Sequence, residues 1–246
     1  MEIGGPSAIF ARHGALPLYP LFEQLDNCDF AGDTIWHGEA ADGTPFQYDD
    51  DRSPGRRFVR DATSLVGIAD ASYEVLLSSH TLEHIANPLQ ALSEWTRIVG
   101  TDGHLVLVVP HLENTFDHRR SVTTLEHIEA DFARSTGEDD PTHVEEFIEL
   151  CDLKRVPERL SREAFEERSR DHPTNRAVHH HVFDTDLVVR LLDRAGCQLL
   201  WVETALPFHI VAVARANVVE PDNSHFLTRT AGWRRASVFR RDRIAV

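Results

Sequence analysis

Three observations predict an α/β fold built on a doubly wound, mostly parallel sheet with a helical insertion. Short β-type runs alternate with helical patterns in residues 1–111 and again in residues 179–216, and such alternation is typical of a parallel sheet covered by helices. The run from Leu105 to Val109 is apolar at every position, as expected of a central parallel strand. Residues 112–178 are charged and helical in pattern and show no strand signal, so they form the predicted insertion.

Four short strands are predicted before the first clear helix. Glu2–Ile3 runs into a glycine turn, and Phe22–Leu25 is the second candidate and ends at Asp26. Phe58–Ala62 and Tyr73–His80 follow as the third and fourth. An acid at the end of the second strand can accept hydrogen bonds from ribose hydroxyls. Asp26 is therefore expected to bind a nucleotide, and the alternative is an aspartate that only forms a turn.

Two helices and two further strands complete the predicted core. Asn87 can cap the first helix, with Pro88 at its first position and a glycine stop at residue 100. The second helix spans about residues 185–195. Residues 198–203 and 208–216 are then predicted to be the last two strands.

Composition limits the environment and the partners. Of the 246 residues, 41% are hydrophobic and 26% are charged, as in an ordinary globular protein. The formal net charge of −15 argues against nucleic acid as a partner. No apolar run approaches the roughly 20 residues of a membrane helix, and the N-terminus lacks a secretory pattern. Three widely spaced cysteines favour neither a disulfide framework nor a thiolate zinc site. We therefore expect a reduced, cytoplasmic protein with no nucleic-acid or membrane partner.

A family resemblance rests on the segments around the fourth and fifth strands. They resemble the type 11 group of class I S-adenosylmethionine-dependent methyltransferases in three places: Ser-Ser-His-Thr-Leu-Glu-His-Ile at 78–85, Ser-Glu-Trp-Thr-Arg-Ile at 93–98, and Asp-Gly at 102–103 before the strand that ends at Pro110. The resemblance implies a Rossmann-like core of residues 1–111 and 179–216 that binds S-adenosylmethionine. It leaves residues 112–178 as a helical lid that binds the acceptor and residues 217–246 as a C-terminal tail.

The resemblance also implies which residues bind the cofactor. The first loop, with Glu2, Gly4, Gly5 and Pro6, would contact the methionine part of the cofactor, and Asp26 would bind the ribose. Asp61 and Ala62 would contact the adenine. Ser78, Ser79 and His80 would lie beside the reacting methyl group. The sequence departs from the family because Gly-Gly-Pro-Ser replaces a spaced Gly-x-Gly. It also lacks the helices that precede the first strand, so the 112–178 segment or a second subunit is expected to cover the cleft.

Two histidines are the candidate general bases. Histidine is the usual base near neutral pH. Thr142 and Glu145 fit a capping box, which places His143 in the first turn of a helix, where the helix dipole disfavours imidazolium. His111 follows the fifth strand at the carboxyl edge of the sheet, where ligands of α/β proteins bind. His143 is therefore the predicted base and His111 its main rival.

Other polar residues of the lid allow more than one interpretation. The run at residues 179–181 is three histidines, at the point where the lid rejoins the core. Together with His143 and four acids of the lid, they could hold a divalent ion, with Mg²⁺ favoured because so many candidate ligands are carboxylates; the acids are Asp139, Asp140, Glu145 and Glu146. The alternative is a hydrogen-bonded lid without a metal. Arg119 and Arg120, beside Asp117, either tie the lid down or grip a carboxylate or a polyol through bidentate bonds.

These observations predict an O-methyltransferase that acts on a hydroxyl of a sugar, an oligosaccharide or a similar small polar acceptor. The resemblance extends to sugar and glycan O-methyltransferases, including the actinobacterial type that methylates mannose-based oligosaccharides. The alternatives are a metal-dependent hydrolase that uses the histidine cluster and a non-catalytic binding protein with the methyltransferase fold. A homodimer is also predicted, because the cleft lacks its usual cover and the C-terminal tail is rich in arginine. The tail could equally pack on acidic surface of its own chain.

Overall fold

The structure, a computed structural model, describes residues 1–31, 33–34, 38–39 and 41–244. The last two residues of the predicted tail lie outside the described residues. The strands are β1 (Glu2–Ile3), β2 (Asn27–Asp29), β3 (Asp33–Thr34), β4 (Gly38–Glu39), β5 (Pro45–Phe46), β6 (Gly55–Val59), β7 (Tyr73–Ser79), β8 (Val99–Pro110), β9 (Gln198–Ala205) and β10 (His209–Arg215). The α-helices are α1 (Pro88–Ile98), α2 (Leu125–Arg134), α3 (Val144–Leu150), α4 (Arg162–Arg170), α5 (His172–Asn175), α6 (Thr185–Arg194), α7 (Ser224–Leu227), α8 (Gly232–Ala236) and α9 (Arg240–Ile244).

Eight of the strands form one mixed sheet in the order β5-β6-β2-β1-β7-β8-β10-β9. Strands β6, β2, β1, β7 and β8 are parallel, and β10 runs antiparallel to both of its neighbours. This confirms the predicted Rossmann-like α/β class. From β1 the chain moves outward through β2 to β6 and then returns to the other side of β1 with β7. The order of strands therefore reverses between β1 and β7, and ligands of such sheets bind outside the carboxyl ends of the strands at this point.

The two faces of the sheet are covered differently. Helices α1, α2 and α6 contribute to the larger core on one face, where Trp95 and Ile98 are fully buried. The other face packs against the segment 8–22, which contains only two short 3₁₀ turns and buries Phe10 and Tyr19. Prolines at positions 6, 17 and 20 account for this difference, because proline removes a backbone donor and interrupts helices.

The second strand lies later in the chain than predicted. Strand β2 begins at Asn27, whereas Phe22–Leu25 follows a 3₁₀ turn and has no strand partner among the described residues. The apolar residues Phe22 and Leu25 pack in the smaller core from a loop, which explains their hydrophobicity without a strand. The prediction that Asp26 ends the second strand is therefore wrong, because Asp26 directly precedes β2.

The 112–178 segment has two structurally distinct parts. Helix α2 packs against α1 and α6, with Ile128 buried in the main core. Helices α3 and α4 pack on each other around a separate small core that includes Phe147, Phe165 and Val178. No helix within the described ranges is long and apolar enough to cross a bilayer.

The C-terminal tail packs on its own chain. The ring of Phe239 stacks on His111 with their centroids 4.0 Å apart, and Asp242 accepts a hydrogen bond from Thr185 at 2.6 Å. Arg234 pairs with Asp186 of α6, and Arg241 pairs with Asp184 at 3.1 Å. These arginines therefore find acidic partners within the chain. The arginines of the tail therefore give no argument for a homodimer, and the homodimer itself stays a prediction.

Phe239→Ala should lower the free energy of unfolding by about 3–5 kcal/mol, as expected when a buried phenylalanine is truncated. Phe239 is 1% exposed, whereas the neighbouring Val238 is 41% exposed. Urea unfolding of Phe239→Ala and of the matched control Val238→Ala measures the difference. Equal, small effects of the two substitutions would show that Phe239 does not dock on His111.

Candidate functional site

One large cavity opens where four parallel strands end. Its volume is about 700 Å³. Residues that follow the carboxyl ends of β1, β6 and β7, namely Gly4, Asp61 and His80, line it together with Asp29, the last residue of β2. These strands flank the reversal of strand order, so the cavity lies where the topology predicts a ligand.

The floor of the cavity is a glycine turn directly after β1. Gly4 and Gly5 have φ angles of +76° and +91°, which residues with a side chain rarely adopt. A Cβ on Gly4 would lie 2.5 Å from the hydroxyl oxygen of Thr81, and one on Gly5 would lie 2.3 Å from the carboxyl carbon of Glu2. Both glycines and Pro6 line the cavity. The turn therefore requires glycine at both positions.

Glu2 lies beneath this turn. It was predicted to contact the cofactor, but it does not line the cavity. It is fully buried, and its carboxylate accepts a hydrogen bond from the hydroxyl of Tyr19 at 2.7 Å. The same hydroxyl accepts a hydrogen bond from the backbone N–H of Ser7 at 2.6 Å. Burial raises the pKa of Glu2 to about 7, against the opposing effect of its hydrogen bonds. The predicted cofactor contact of Glu2 is thus replaced by a role in holding the loop.

Asp29 takes the position that was expected for Asp26. Asp29 ends β2 and lines the cavity, and Arg57 donates a hydrogen bond to its carboxylate at 3.2 Å. Burial raises the pKa of Asp29 to about 6, and the charge of Arg57 opposes that shift. Asp26 lies at the opposite end of β2, where its carboxylate accepts hydrogen bonds from the hydroxyl of Tyr73 and the N–H of Arg56.

The predicted adenine pair lies in the cavity beside residues of the 112–178 segment. Asp61 and Ala62 both line the cavity. Arg176 donates a hydrogen bond to Asp61 at 3.0 Å and forms an ion pair with Glu138. Burial raises the pKa of Glu138 to about 7, while Arg176 lowers it. One arginine of the segment therefore bridges to the core at this end of the cavity.

A pair of histidines lies beside the end of β7, with His80 in the loop after β7 and His209 at the start of β10. His80 and Ser79 line the cavity, whereas Ser78 is buried within the strand and does not. The Nε2 atom of His80 lies 2.9 Å from Nδ1 of His209, and its Nδ1 lies 3.4 Å from the buried carboxylate of Glu83. Burial and the neighbouring His80 lower the pKa of His209 to about 4. Both ring nitrogens of His80 are therefore engaged.

At the end of the cavity away from the glycine turn, aromatic rings lie beside a buried aspartate–histidine pair. Phe116, Phe147 and Phe165 line this end. His179 also lines it, and its Nδ1 lies 2.5 Å from Oδ2 of Asp117. Burial alone would raise the pKa of Asp117, but His179 and Arg120 lower it overall. The carboxylate is therefore ionised and accepts the Nδ1 proton of His179.

Neither of the predicted bases is among the described residues that line the cavity. His111 is fully buried beneath the tail; its Nδ1 accepts a hydrogen bond from the N–H of Glu113, and its Nε2 lies 3.3 Å from Asp242. His143 lies directly before α3, within a separate group of histidines. The predicted capping box is wrong, because the hydroxyl of Thr142 donates to Asp140 and α3 begins at Val144.

Two groups of side chains among the described residues have a spacing that suits a metal ion. One is Glu83, His84 and His179 at the cavity, and the other is His127, His143 and His181. Five of the six residues are histidines, which suits a transition metal better than Mg²⁺. The acids proposed from the sequence have other partners: Glu145 pairs with Arg170, and Glu146 pairs with Arg120. The Mg²⁺ prediction thus finds no support in this arrangement.

Sequence reasoning missed Asp29 and the pairing of Asp117 with His179. A signal for Asp29 was available, because prolines before Phe22–Leu25 favour turns and shift the strand to Asn27–Asp29. The aspartate–histidine pair had no local signal, since 62 positions separate its members. The histidine run was noticed, but its partner depends on tertiary packing.

One family profile matches part of the chain. A family profile described as a methyltransferase domain matches residues 44–107, which include β6, β7 and α1. The match supports a methyltransferase domain over this part of the chain. No curated protein matches the sequence.

Among solved structures, an S-adenosylmethionine-dependent methyltransferase from Methanosarcina mazei is 15% identical, with a TM-score of 0.48 and coverage of 89% of this chain and 92% of that one. A candidate methyltransferase from Bacillus halodurans is 14% identical, with a TM-score of 0.43 over 82% of this chain. One from Aquifex aeolicus is 11% identical, with a TM-score of 0.36 over 65% of this chain. The chain spans 63% and 54% of the lengths of the last two. Likenesses this distant carry no information on the acceptor.

Replacement of Glu2 should change how stability depends on pH. The pKa of Glu2 is about 7 in the folded chain and 4.5 in its ordinary state. Between these values the unfolded chain ionises first, so the wild type loses stability as the pH rises through this window. Glu2→Gln should remove that part of the loss. Urea unfolding from about pH 4 to about pH 8 tests this, with the exposed Glu74→Gln as the control; parallel curves for wild type and Glu2→Gln would contradict it.

Proposed function

We propose that the chain is an S-adenosylmethionine-dependent O-methyltransferase in which His179 is the general base for a hydroxyl acceptor. The observation that carries the proposal is the Asp117–His179 pair, which lies in the same cavity as the glycine turn and the carboxyl ends of the central strands. The predicted bases, His143 and His111, are not retained. The hydrolase alternative is not favoured, because the cavity has the topology of a nucleotide-type site.

The cofactor half of the cavity suits S-adenosylmethionine. A Cβ on Gly4 would clash with Thr81 and one on Gly5 with Glu2, so both positions stay glycine and the turn itself lines the cavity. Asp29 supplies a carboxylate at the end of β2 for ribose hydroxyls, and Asp61 and Ala62 line the neighbouring wall. When bound, the cofactor supplies an electrophilic methyl group on a sulfonium. These residues would hold and orient it next to the loop at His80.

His179 has the arrangement of a base whose orientation is fixed. The ionised Asp117 accepts the proton on Nδ1 of His179, which leaves Nε2 as the nitrogen with a lone pair. Asp117 is in turn held by Arg120, whose Nη1 donates to Oδ1 of Asp117 at 3.1 Å and to the carbonyl of His179 at 2.8 Å. The ring therefore cannot turn without breaking a buried network. An acceptor hydroxyl at Nε2 would lose its proton to the imidazole as the methyl group is transferred.

His80 fits the role of base less well, although it lies closer to the end of β7. Its two ring nitrogens contact Glu83 and His209, so removal of a proton from an acceptor would first require loss of one of these contacts. His80 is better placed to shape the wall beside the reacting methyl group. It has a φ of 53°, so its backbone turns sharply after the strand.

The acceptor end of the cavity combines apolar rings with charged side chains. Phe116, Phe147 and Phe165 provide flat apolar walls, and Arg155, Arg168 and Glu158 also line this end. A pyranose suits both features, since one ring face presents C–H groups and its edge presents hydroxyls. We therefore keep a sugar or a similar small polyol as the proposed acceptor. A phenolic acceptor would use the same rings, and the two classes are separated by assay of both.

Asp29→Ala should weaken the binding of S-adenosylmethionine, whereas Asp26→Ala should not. Loss of a charged hydrogen bond to a hydroxyl costs roughly 1.5–3 kcal/mol, or about 10- to 150-fold in affinity. Calorimetric titration with the cofactor measures both variants, and circular dichroism checks that each is folded. A loss confined to Asp26→Ala would show that the ribose acid is at the other edge of the sheet.

His179→Ala should lower turnover by about 10²–10⁴-fold, the usual contribution of a positioned base, while cofactor affinity stays within about twofold. His179→Gln should be nearly as slow, because an amide cannot take up the proton. Asp117→Asn should also be slow, since an amide can favour the wrong tautomer of His179. Single-turnover assays with panels of monosaccharides, disaccharides and phenols measure these effects.

The matched control is the exposed His225→Ala, which should keep wild-type turnover. Normal turnover of His179→Ala would refute the role of His179. If His80→Ala alone were inactive with cofactor still bound, the base would lie in the loop after β7.

A further inference from the structure

Three histidines from different parts of the chain meet behind the cavity. His127 lies on α2, His143 lies directly before α3, and His181 lies in the segment that leads into α6. One ligand nitrogen from each lies within 4.8 Å of the other two. None of the three is among the described residues that line the cavity. This group, the lid histidine cluster, is therefore separate from the proposed methyl-transfer site.

The rings of His127 and His143 approach each other closely enough for a hydrogen bond between their Nε2 atoms. Their Nε2 atoms are 3.0 Å apart. Zinc binds histidine nitrogen at about 2.0–2.1 Å in tetrahedral geometry, which places two ligand nitrogens about 3.3 Å apart. A shift of a few tenths of an ångström would therefore bring both nitrogens to one zinc ion.

His181 has the hydrogen-bonding pattern of a metal ligand. It is 1% exposed, and its Nε2 lies 3.1 Å from the carbonyl oxygen of Ala86, to which it donates. That bond fixes the tautomer and leaves a lone pair on Nδ1, which is buried and has no hydrogen-bond partner in the described part of the chain. Metal-binding histidines commonly donate their other N–H to a carbonyl in this way. An unpaired buried nitrogen otherwise costs free energy.

A buried carboxylate completes the surroundings. Oδ2 of Asp131 lies 3.2 Å from Nε2 of His127, and Asp131 is 2% exposed. Its other oxygen accepts hydrogen bonds from Arg134 and Thr136. The carboxylate is thus oriented with Oδ2 toward the cluster, where it supplies negative charge for a cation. Glu146, 3.8 Å from Nδ1 of His143, provides a second carboxylate at the rim.

We propose that His127, His143 and His181 bind a zinc ion, with Asp131 as the carboxylate beside it. The ion would join α2, the start of α3 and the segment at residue 181, and so hold the wall of the acceptor end in place. Its role would be structural, because the cluster does not line the cavity. The proposal does not depend on the methyl-transfer activity.

The first test is metal binding by the full-length protein. After treatment with a chelator and dialysis, the wild type should bind one equivalent of Zn²⁺ by calorimetry and elemental analysis, and its melting temperature should rise. Co²⁺ in place of Zn²⁺ should give the intense visible absorption of a tetrahedral site. Binding of less than about a tenth of an equivalent at micromolar Zn²⁺ would overturn the proposal, and would indicate a cluster held by hydrogen bonds alone.

The second test assigns the ligands. The double variant His127→Ala/His143→Ala should lose the zinc equivalent or bind it at least about 100-fold more weakly. His84→Ala, which removes a histidine from the group at the cavity, is the matched control and should retain the equivalent. If the double variant is unfolded, the single variant His143→Gln should show the same loss of affinity. Loss of zinc in His84→Ala, with retention in His127→Ala/His143→Ala, would place the metal at the cavity and overturn the proposal.

Discussion

The buried ion pair between Asp117 and Arg120 is the contact on which the acceptor end of the cavity depends. Both side chains are nearly inaccessible to solvent, and Arg120 also binds the carbonyl of His179 and the carboxylate of Glu146. The pair therefore links the loop after β8, the helix α3 and the return to the core at residue 179. Removal of one partner would leave an uncompensated buried charge, which costs about 3–5 kcal/mol. The same pair orients His179, so stability and the proposed chemistry share one network.

The cofactor end depends on a different constraint, which is the lack of space for side chains in the turn after β1. A side chain at Gly5 would collide with Glu2, which fills the space beneath the turn. Tyr19, from the segment 8–22, holds Glu2 by a hydrogen bond. On this face, the short segment 8–22 performs the packing that helices perform on the other face. Arg176 then joins the 112–178 segment to the core at this end, since it contacts Asp61 of the core and Glu138 of the segment.

The sequence predicted the features that depend on local pattern. Helix α1, with its cap at Asn87, the central strand β8 and the final strands were all expected, because apolar periodicity and caps act within a few residues. The second strand was misplaced, since a buried loop such as Phe22–Leu25 has the same hydrophobicity as a strand. The predicted bases, His143 and His111, do not line the cavity for another reason. Helix-start chemistry favoured His143, but which histidine reaches the cavity is decided by packing of the lid, as with His179 and its partner Asp117.

The most direct measurement is a crystal structure of the protein with S-adenosylhomocysteine and an accepted substrate. The reacting hydroxyl oxygen should lie about 2.6–3.2 Å from Nε2 of His179, the reach required of a general base. The ribose should contact Asp29, and the cofactor sulfur should face the same hydroxyl. A hydroxyl bound beside His80 and His209 and out of reach of His179, or an acceptor outside this cavity, would contradict the assignment of His179 as the base.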